Sequence, residues 1–193
     1  MASSLGPITM MLNTTGLGCL TLKIVDREIK AVNKKIGELL ARSQEKIAKL
    51  SCSFKETNII QIMSNYDTKC SSVALESNLV ESGLCAPIVH EKGSFCHGRS
   101  NIVNKETPII YLSHEQSELD KVLLDTLSNK YSSLYQFDTK DLKEENYFWR
   151  EYYLLLQMYY LSKKIAEDKE MDLTKPKIDK ETIQALYNFK GQV

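Results

Sequence analysis

The sequence predicts a three-layer α/β/α domain with a mostly parallel sheet, preceded by an N-terminal helical arm. Three observations lead there. Short β-branched or apolar runs at 58–63, 87–90, 108–112 and 132–137 are separated by segments with helical spacing. Strands that alternate with helices imply parallel strands joined by crossover helices. The run at 108–112 is almost wholly apolar, as a strand is when both of its faces are covered. Finally, 193 residues suffice for one such domain with a real core, plus an appendage.

Residues 1–50 read as the arm, of the kind that connects two domains. Positions 8–24 are mostly apolar and small, interrupted by Gly16 and Gly18. A second helical segment starts at Asp26. Ile29, Val32, Ile36, Leu39, Leu40 and Ile47 fall three or four apart in a stripe. A lone amphipathic helix must bury such a stripe, against the following domain or another chain.

Residues 51–193 read as the domain. After a polar connector, the strand at 58–63 leads through a turn into a helix over about 70–82. Val73, Leu75, Leu79 and Val80 are expected on its sheet side, and Gly83 closes it. A second strand at 87–90 is followed by a loop to His97 and a short helix at 98–103. The strand at 108–112 precedes a helix capped by Ser113 or Ser117 and running to about 128. The fourth strand covers 132–137. Positions 147–166 make a helix so rich in apolar and aromatic side chains that two of its faces must be buried. A charged stretch stopped by Pro176 precedes a last helix over 178–189.

Lys and Arg number 25, and so do Asp and Glu, so the net charge is zero. No dense basic stripe interleaved with aromatics is present, which argues against a nucleic-acid partner. The most apolar run, 147–161, is too short to cross a membrane and carries Arg150, Glu151 and Gln157. Without a signal-peptide pattern at its start, the chain is expected to be cytoplasmic. Five cysteines, with no C-x-x-C pair and no His at zinc-ligand spacing, read as free thiols in a reducing compartment. No metal and no cofactor are expected, and Cys96 beside His97 is the one thiol placed for reactivity.

In an open parallel sheet, ligands bind outside the carboxyl ends of the strands. The loops at 64–72, 91–97 and 113–117 meet that description, and each contains Ser. Hydroxyls and backbone N–H groups at a helix N-terminus suit phosphate, although the same residues more often simply cap helices. No Walker or dinucleotide glycine pattern occurs. Glu81, in the last turn of its helix, and His97, before Gly98, are the residue types most used to shuttle protons. Gly98 would let a ligand approach the backbone closely.

The helix Ala74-Leu75-Glu76-Ser77-Asn78-Leu79-Val80-Glu81, with the loop ending His97-Gly98-Arg99, resembles the sugar isomerase (SIS) family. The likeness is to the second SIS domain of glucosamine-6-phosphate synthase and to fructosamine-6-phosphate deglycases. It extends from about residue 58 to the C-terminus. The family separates its catalytic Glu and His by sixteen residues, and the same separation holds here. The resemblance implies a flavodoxin-like SIS fold and a sugar phosphate or related small molecule as ligand. Glu81 would move the proton beside the carbonyl, and His97 would open the ring or shuttle the second proton. Ser64, Thr68, Ser71 and Ser72 would hold phosphate or sugar hydroxyls, with Arg99 beside them. A C-terminal lysine, Lys180 or Lys177, would reach over the site.

The chain also departs from the family. Asn78 stands where the synthase has a lysine, and Asn65-Tyr66-Asp67 replaces the glycine of the first phosphate loop. The Ser-x-Ser-Gly-x-Thr loop of a first SIS domain is absent. Two-domain members are nearly twice as long, and the arm resembles their interdomain connector. The resemblance therefore implies a second copy or a companion SIS-domain chain as partner. Two functional readings result: isomerase-like or deglycase-like proton transfer, or a non-catalytic phosphosugar- or nucleotide-binding subunit that regulates or assembles. A purely structural half of a heteromer is the third.

Overall fold

The computed structural model describes residues 22–143, 145–173 and 181–182. The chain forms two compact units, 1–39 and 40–193. In the first, the described residues are all helical and belong to α1 (Leu22–Ala48), whose last turns enter the second unit. The helix is continuous through 24–26, where the sequence suggested a break. No Gly or Pro interrupts that stretch, so no backbone hydrogen bond is lost there.

The second unit is a four-stranded, all-parallel sheet in the order β2-β1-β3-β4. The strands are β1 (Ile59–Ser64), β2 (Ala86–Glu91), β3 (Ile109–Ser113) and β4 (Leu134–Asp138). In the register, Ile62 lies opposite both Val89 of β2 and Ile110 of β3. Ile60, Ile62, Ile110, Leu112 and Phe137 turn to one face. There they meet α2 (Lys69–Glu81), α5 (Tyr147–Asp168) and the end of α1. Met63, Ile109 and Tyr111 turn to the other face and meet α3 (Lys92–Cys96) and α4 (Glu118–Lys130). The central strands β1 and β3 are buried on both faces, which is why their runs read as apolar rather than alternating.

Glycine closes α2. Gly83 adopts φ 60°, and the Leu84 amide bonds back to the Leu79 carbonyl while the Gly83 amide bonds to that of Val80. That is a Schellman motif, which needs a left-handed residue. Leu75 and Leu79 are fully buried, whereas Val73 and Val80 face solvent, contrary to the expectation from sequence. Positions 73 and 75 lie roughly 200° apart around a helix, so the two pairs cannot share a face.

Ser117 rather than Ser113 caps α4. Its hydroxyl accepts from the Asp120 amide, and Asp120 returns a bond to the Ser117 amide. The segment after β2 forms α3 instead of a loop, and residues Arg99–Ile102 form a 3₁₀ turn opened by Gly98 at φ 104°. Asn146 caps α5 through the Trp149 amide, and an unbroken buried run, 151–158, follows. Of the last expected helix, only Glu181 and Thr182 are described, and they are helical. Lys177 and Lys180 lie outside the described residues. Among the described residues, no helix is long and apolar enough to cross a membrane.

Candidate functional site

In a 2-1-3-4 sheet the strand order reverses between β1 and β3, and the crevice at their carboxyl ends is where such folds bind ligands. The loops that meet there are joined by buried side chains. Glu151, on α5, reaches the first turn of α2. Its Oε1 accepts from the Ser71 amide at 2.8 Å and from the Ser71 hydroxyl at 2.9 Å. A carboxylate there satisfies a helix N-terminus in the way a bound anion would.

His114 follows β3 directly. Its Nε2 lies 2.9 Å from the Asp67 carbonyl oxygen and 2.9 Å from Glu151 Oε2. A carbonyl can only accept, so Nε2 carries a proton. Nδ1 pairs with the Thr139 hydroxyl at 3.1 Å, which also accepts from Arg150 Nε at 3.2 Å. Arg150 Nη1 donates to Glu115 at 2.8 Å. Tyr147 donates its hydroxyl to the Asp67 carbonyl and packs edge-on against the His114 ring. Burial, then the Glu151 and Asp67 carboxylates, push the Tyr147 phenol up to about 12. Burial, then Glu151, also raises the exposed Cys70 thiol, so this cysteine is not an activated nucleophile.

Of the residues expected to bind substrate, four lie together between the end of β1 and the first turn of α2, and Arg99 lies apart. Ser64, Thr68, Ser71 and Ser72 are all buried there. Three have partners inside the protein. Thr68 accepts from the Asn65 amide at 3.1 Å, Ser72 donates to the Lys69 carbonyl at 2.9 Å, and Ser71 is held by Glu151. His97 ends α3 and Arg99 starts the next turn; both are exposed. They follow the carboxyl end of β2. Glu81 is exposed at the far end of α2, just before β2 begins. Ten residues of helix, about 15 Å, separate that end from Ser71. Within one chain, Glu81 and His97 therefore sit at opposite ends of the edge strand β2, one before it and one after it.

Sequence reasoning missed His114 and Glu151. The signal was present: Glu151 is an acid inside an apolar helix, and a charge there needs a partner. A second missed cluster lies on the other face. Lys92 Nζ is 2.6 Å from Asp120 Oδ1 and 4.4 Å from the Tyr111 ring centre, and Tyr111 donates its hydroxyl to the same carboxylate. All three are buried, so the cluster holds the fold rather than a ligand.

A cleft of about 400 Å³ opens at the carboxyl ends of β3 and β4. It is lined by His114, Glu115, Gln116, Asp138, Lys140 and Lys143. That volume lies within the range of small-molecule sites. Among the described residues, no group of three or more His, Cys, Asp or Glu could hold a metal ion.

No protein-family model and no curated protein matches the chain. Solved structures do match. A candidate phosphosugar isomerase from Clostridium difficile 630 is 18% identical with TM-score 0.59, covering 88% of this chain and 51% of that one. The C-terminal domain of glucosamine-fructose-6-phosphate aminotransferase from Francisella tularensis is 18% identical with TM-score 0.58, covering 79% and 48%. A candidate sugar-phosphate isomerase from Listeria monocytogenes is 11% identical with TM-score 0.53, covering 88% and 100%. The likeness is one of fold, the SIS-domain α/β fold. The chain spans about half the length of the first structures it matches.

Proposed function

We propose that this chain, built on the SIS-domain fold, binds a sugar phosphate in the crevice at the carboxyl ends of β1, β3 and β4 and serves phosphosugar-isomerase-type chemistry. The observation that carries the reading is the cleft beside the point where the strand order reverses, in a fold shared with phosphosugar proteins. Lys140 and Lys143 line it and suit a phosphate, while Gln116 and Asp138 suit sugar hydroxyls.

In this reading Glu81 removes the proton beside the substrate carbonyl, and His97 opens the ring or returns the proton. Arg99 and the hydroxyls of the Ser64–Ser72 loop orient the ligand, and Lys180 is the candidate C-terminal lysine. Because Glu81 and His97 lie at opposite ends of the edge strand β2, the pair serves one site only when two SIS domains supply it. A second copy of this chain or a companion SIS-domain chain would be that source.

Thermal melting with hexose and pentose phosphates and their amino derivatives tests the binding. A ligand at a hundred times its Kd stabilises by about 2.7 kcal/mol. Turnover is then assayed on each compound that shifts the melt. General acid–base help is worth roughly 10²–10⁴-fold, so Glu81→Gln should lose activity by that factor while keeping the melting shift. Full activity in Glu81→Gln would refute the mechanism, and a flat melt across the whole panel would refute the binding.

One observation favours a second reading. Glu151 already satisfies the first turn of α2, and the Thr68 and Ser72 hydroxyls are spent on backbone. That suits a non-catalytic phosphosugar- or nucleotide-binding subunit. It would show the melting shift with no turnover in the wild-type chain.

A further inference from the structure

We infer that Arg150 grips the ligand's phosphate and that Glu115 is the counter-ion which the phosphate displaces. The inference rests on the binding reading above and names the residue that makes the cleft specific for a phosphorylated sugar.

Arg150, in the first turn of α5, stands one layer behind the cleft. Its two hydrogen-bond partners come from the segments that form the wall. Glu115 lines the cleft between His114 and Gln116, and Thr139 lies between the lining residues Asp138 and Lys140. The Arg150 side chain is only 11% exposed. Its Nε donates at 3.2 Å to the hydroxyl of Thr139, which is fully buried, so one edge of the guanidinium is fixed by the protein. Nη1 donates at 2.8 Å to a single oxygen of Glu115. Nη2 is buried with no partner. A guanidinium fork suits two oxygens of one anion, and a buried donor without an acceptor is unfavourable. Glu115 thus satisfies half of the fork.

Glu115 is also the lining residue that is easiest to displace. Its side chain is 72% exposed, so the pair keeps one partner in water and is weak. A phosphate monoester carries about two negative charges at neutral pH and three strong acceptor oxygens. Lys140 and Lys143 on the same wall add to its attraction. Rotation of Glu115 into solvent leaves Nη1 and Nη2 to two oxygens of the phosphate. An unphosphorylated sugar has no charge with which to displace Glu115.

Glucose 6-phosphate, ribose 5-phosphate and inorganic phosphate are titrated calorimetrically into the wild-type chain, Glu115→Gln, Glu115→Asp and Arg150→Gln. Glucose and ribose are the uncharged controls. Glu115→Gln should bind the phosphates about fivefold tighter, the ratio that matches removal of a competing ion pair of about 1 kcal/mol. Glu115→Asp keeps the charge but is one methylene short of the 2.8 Å bond, so it should gain as well. Arg150→Gln should lose at least about tenfold, and Glu115→Gln added to it should restore nothing. The uncharged sugars should gain in none of the variants. Melting shows which variants fold. If Arg150→Gln does not, the two Glu115 variants decide, because both change only an exposed side chain. If the wild type binds a phosphate and Glu115→Asp gains nothing, the cleft's overall charge is what acts, and the exchange is overturned while the binding reading stands. An equal gain from Glu115→Gln with and without Arg150 overturns it in the same way. Binding of no phosphate by the wild type or by either Glu115 variant removes the reading beneath it.

Discussion

Glu151 and Ser71 lie 80 positions apart and tie α5 to α2 through two hydrogen bonds to one carboxylate oxygen, both partners being buried. The other carboxylate oxygen faces His114 Nε2 at 2.9 Å. Removing the carboxylate would strand the buried Ser71 amide and take a partner from the Ser71 hydroxyl and the His114 imidazole. Glu151→Ala should therefore lower unfolding stability by about 3–5 kcal/mol. Glu151→Gln keeps an acceptor for Ser71 and should lose only about 1–3 kcal/mol. Urea unfolding of both variants measures this, and equal losses would mean that a neutral acceptor rescues nothing and that the charge carries the whole effect.

That pair marks where local pattern stops being informative. The four strands could be read to within two residues, the central pair because burial on both faces leaves a continuous apolar run, as at Ile109–Ser113. The inner face of α2 was half misread. Val73 and Val80 are apolar, and only the packing against α5 shows that they point outward. The Ser/Thr-rich loop after β1 was legible as the place where hydroxyls gather. Its partner Glu151 was not, because a side chain 80 positions away is chosen by tertiary packing and not by spacing. The sixteen-residue separation of Glu81 and His97 likewise says nothing of direction, and the helix axis sends Glu81 to the opposite end of the strands.

Acid should weaken the chain through Asp120. Burial alone would raise this carboxyl, but the Lys92 ammonium and the Ser117 and Tyr111 hydroxyls outweigh it and hold it at about 2. In the unfolded chain an aspartate titrates near 3.9. The folded value is the lower one, so the stabilisation is complete above about pH 4 and is lost as pH falls toward 2. Its size is about 2 kcal/mol. Asp120→Asn should flatten the stability curve between about pH 4 and pH 2 and should also lower stability at neutral pH, because Lys92 is left buried without its counter-charge. An unchanged acid slope in the variant would assign the acid sensitivity to other carboxylates.

A second, milder transition belongs to His90. Its Nε2 bonds Gln61 Oε1, its ring packs edge-on against Phe95 at 5.2 Å, and its Nδ1 is buried with no partner. Burial, and then the Arg99 guanidinium, hold it below its ordinary 6.5. The unfolded chain then binds the proton first as pH falls. Stability is intact above about pH 6.5 and declines below it. Gln61 and Phe95 are uncharged, so among these contacts Arg99 is the one charge facing the ring. His90→Gln keeps a polar partner for Gln61 and should remove the slope between about pH 6.5 and pH 5. Hydrogen exchange in β2 and α3 should report the same loss, because Phe95 is seated on this ring. A slope that survives in His90→Gln would place the titrating group elsewhere.

The proposed division of the proton-transfer pair between two domains has a direct test. Glu81 and His97 stand at opposite ends of β2, so in this reading neither completes the other within a chain. Glu81→Gln and His97→Asn should each lose activity by roughly 10²–10⁴-fold on their own. Mixed in equal amounts and allowed to exchange subunits, they should recover part of it, because a fraction of the assemblies then holds one site with both native residues. Light scattering on the same samples shows whether assemblies form at all. Recovery without association would contradict the geometry. Association without recovery would mean that the two residues do not share a site, and the non-catalytic reading would then be preferred.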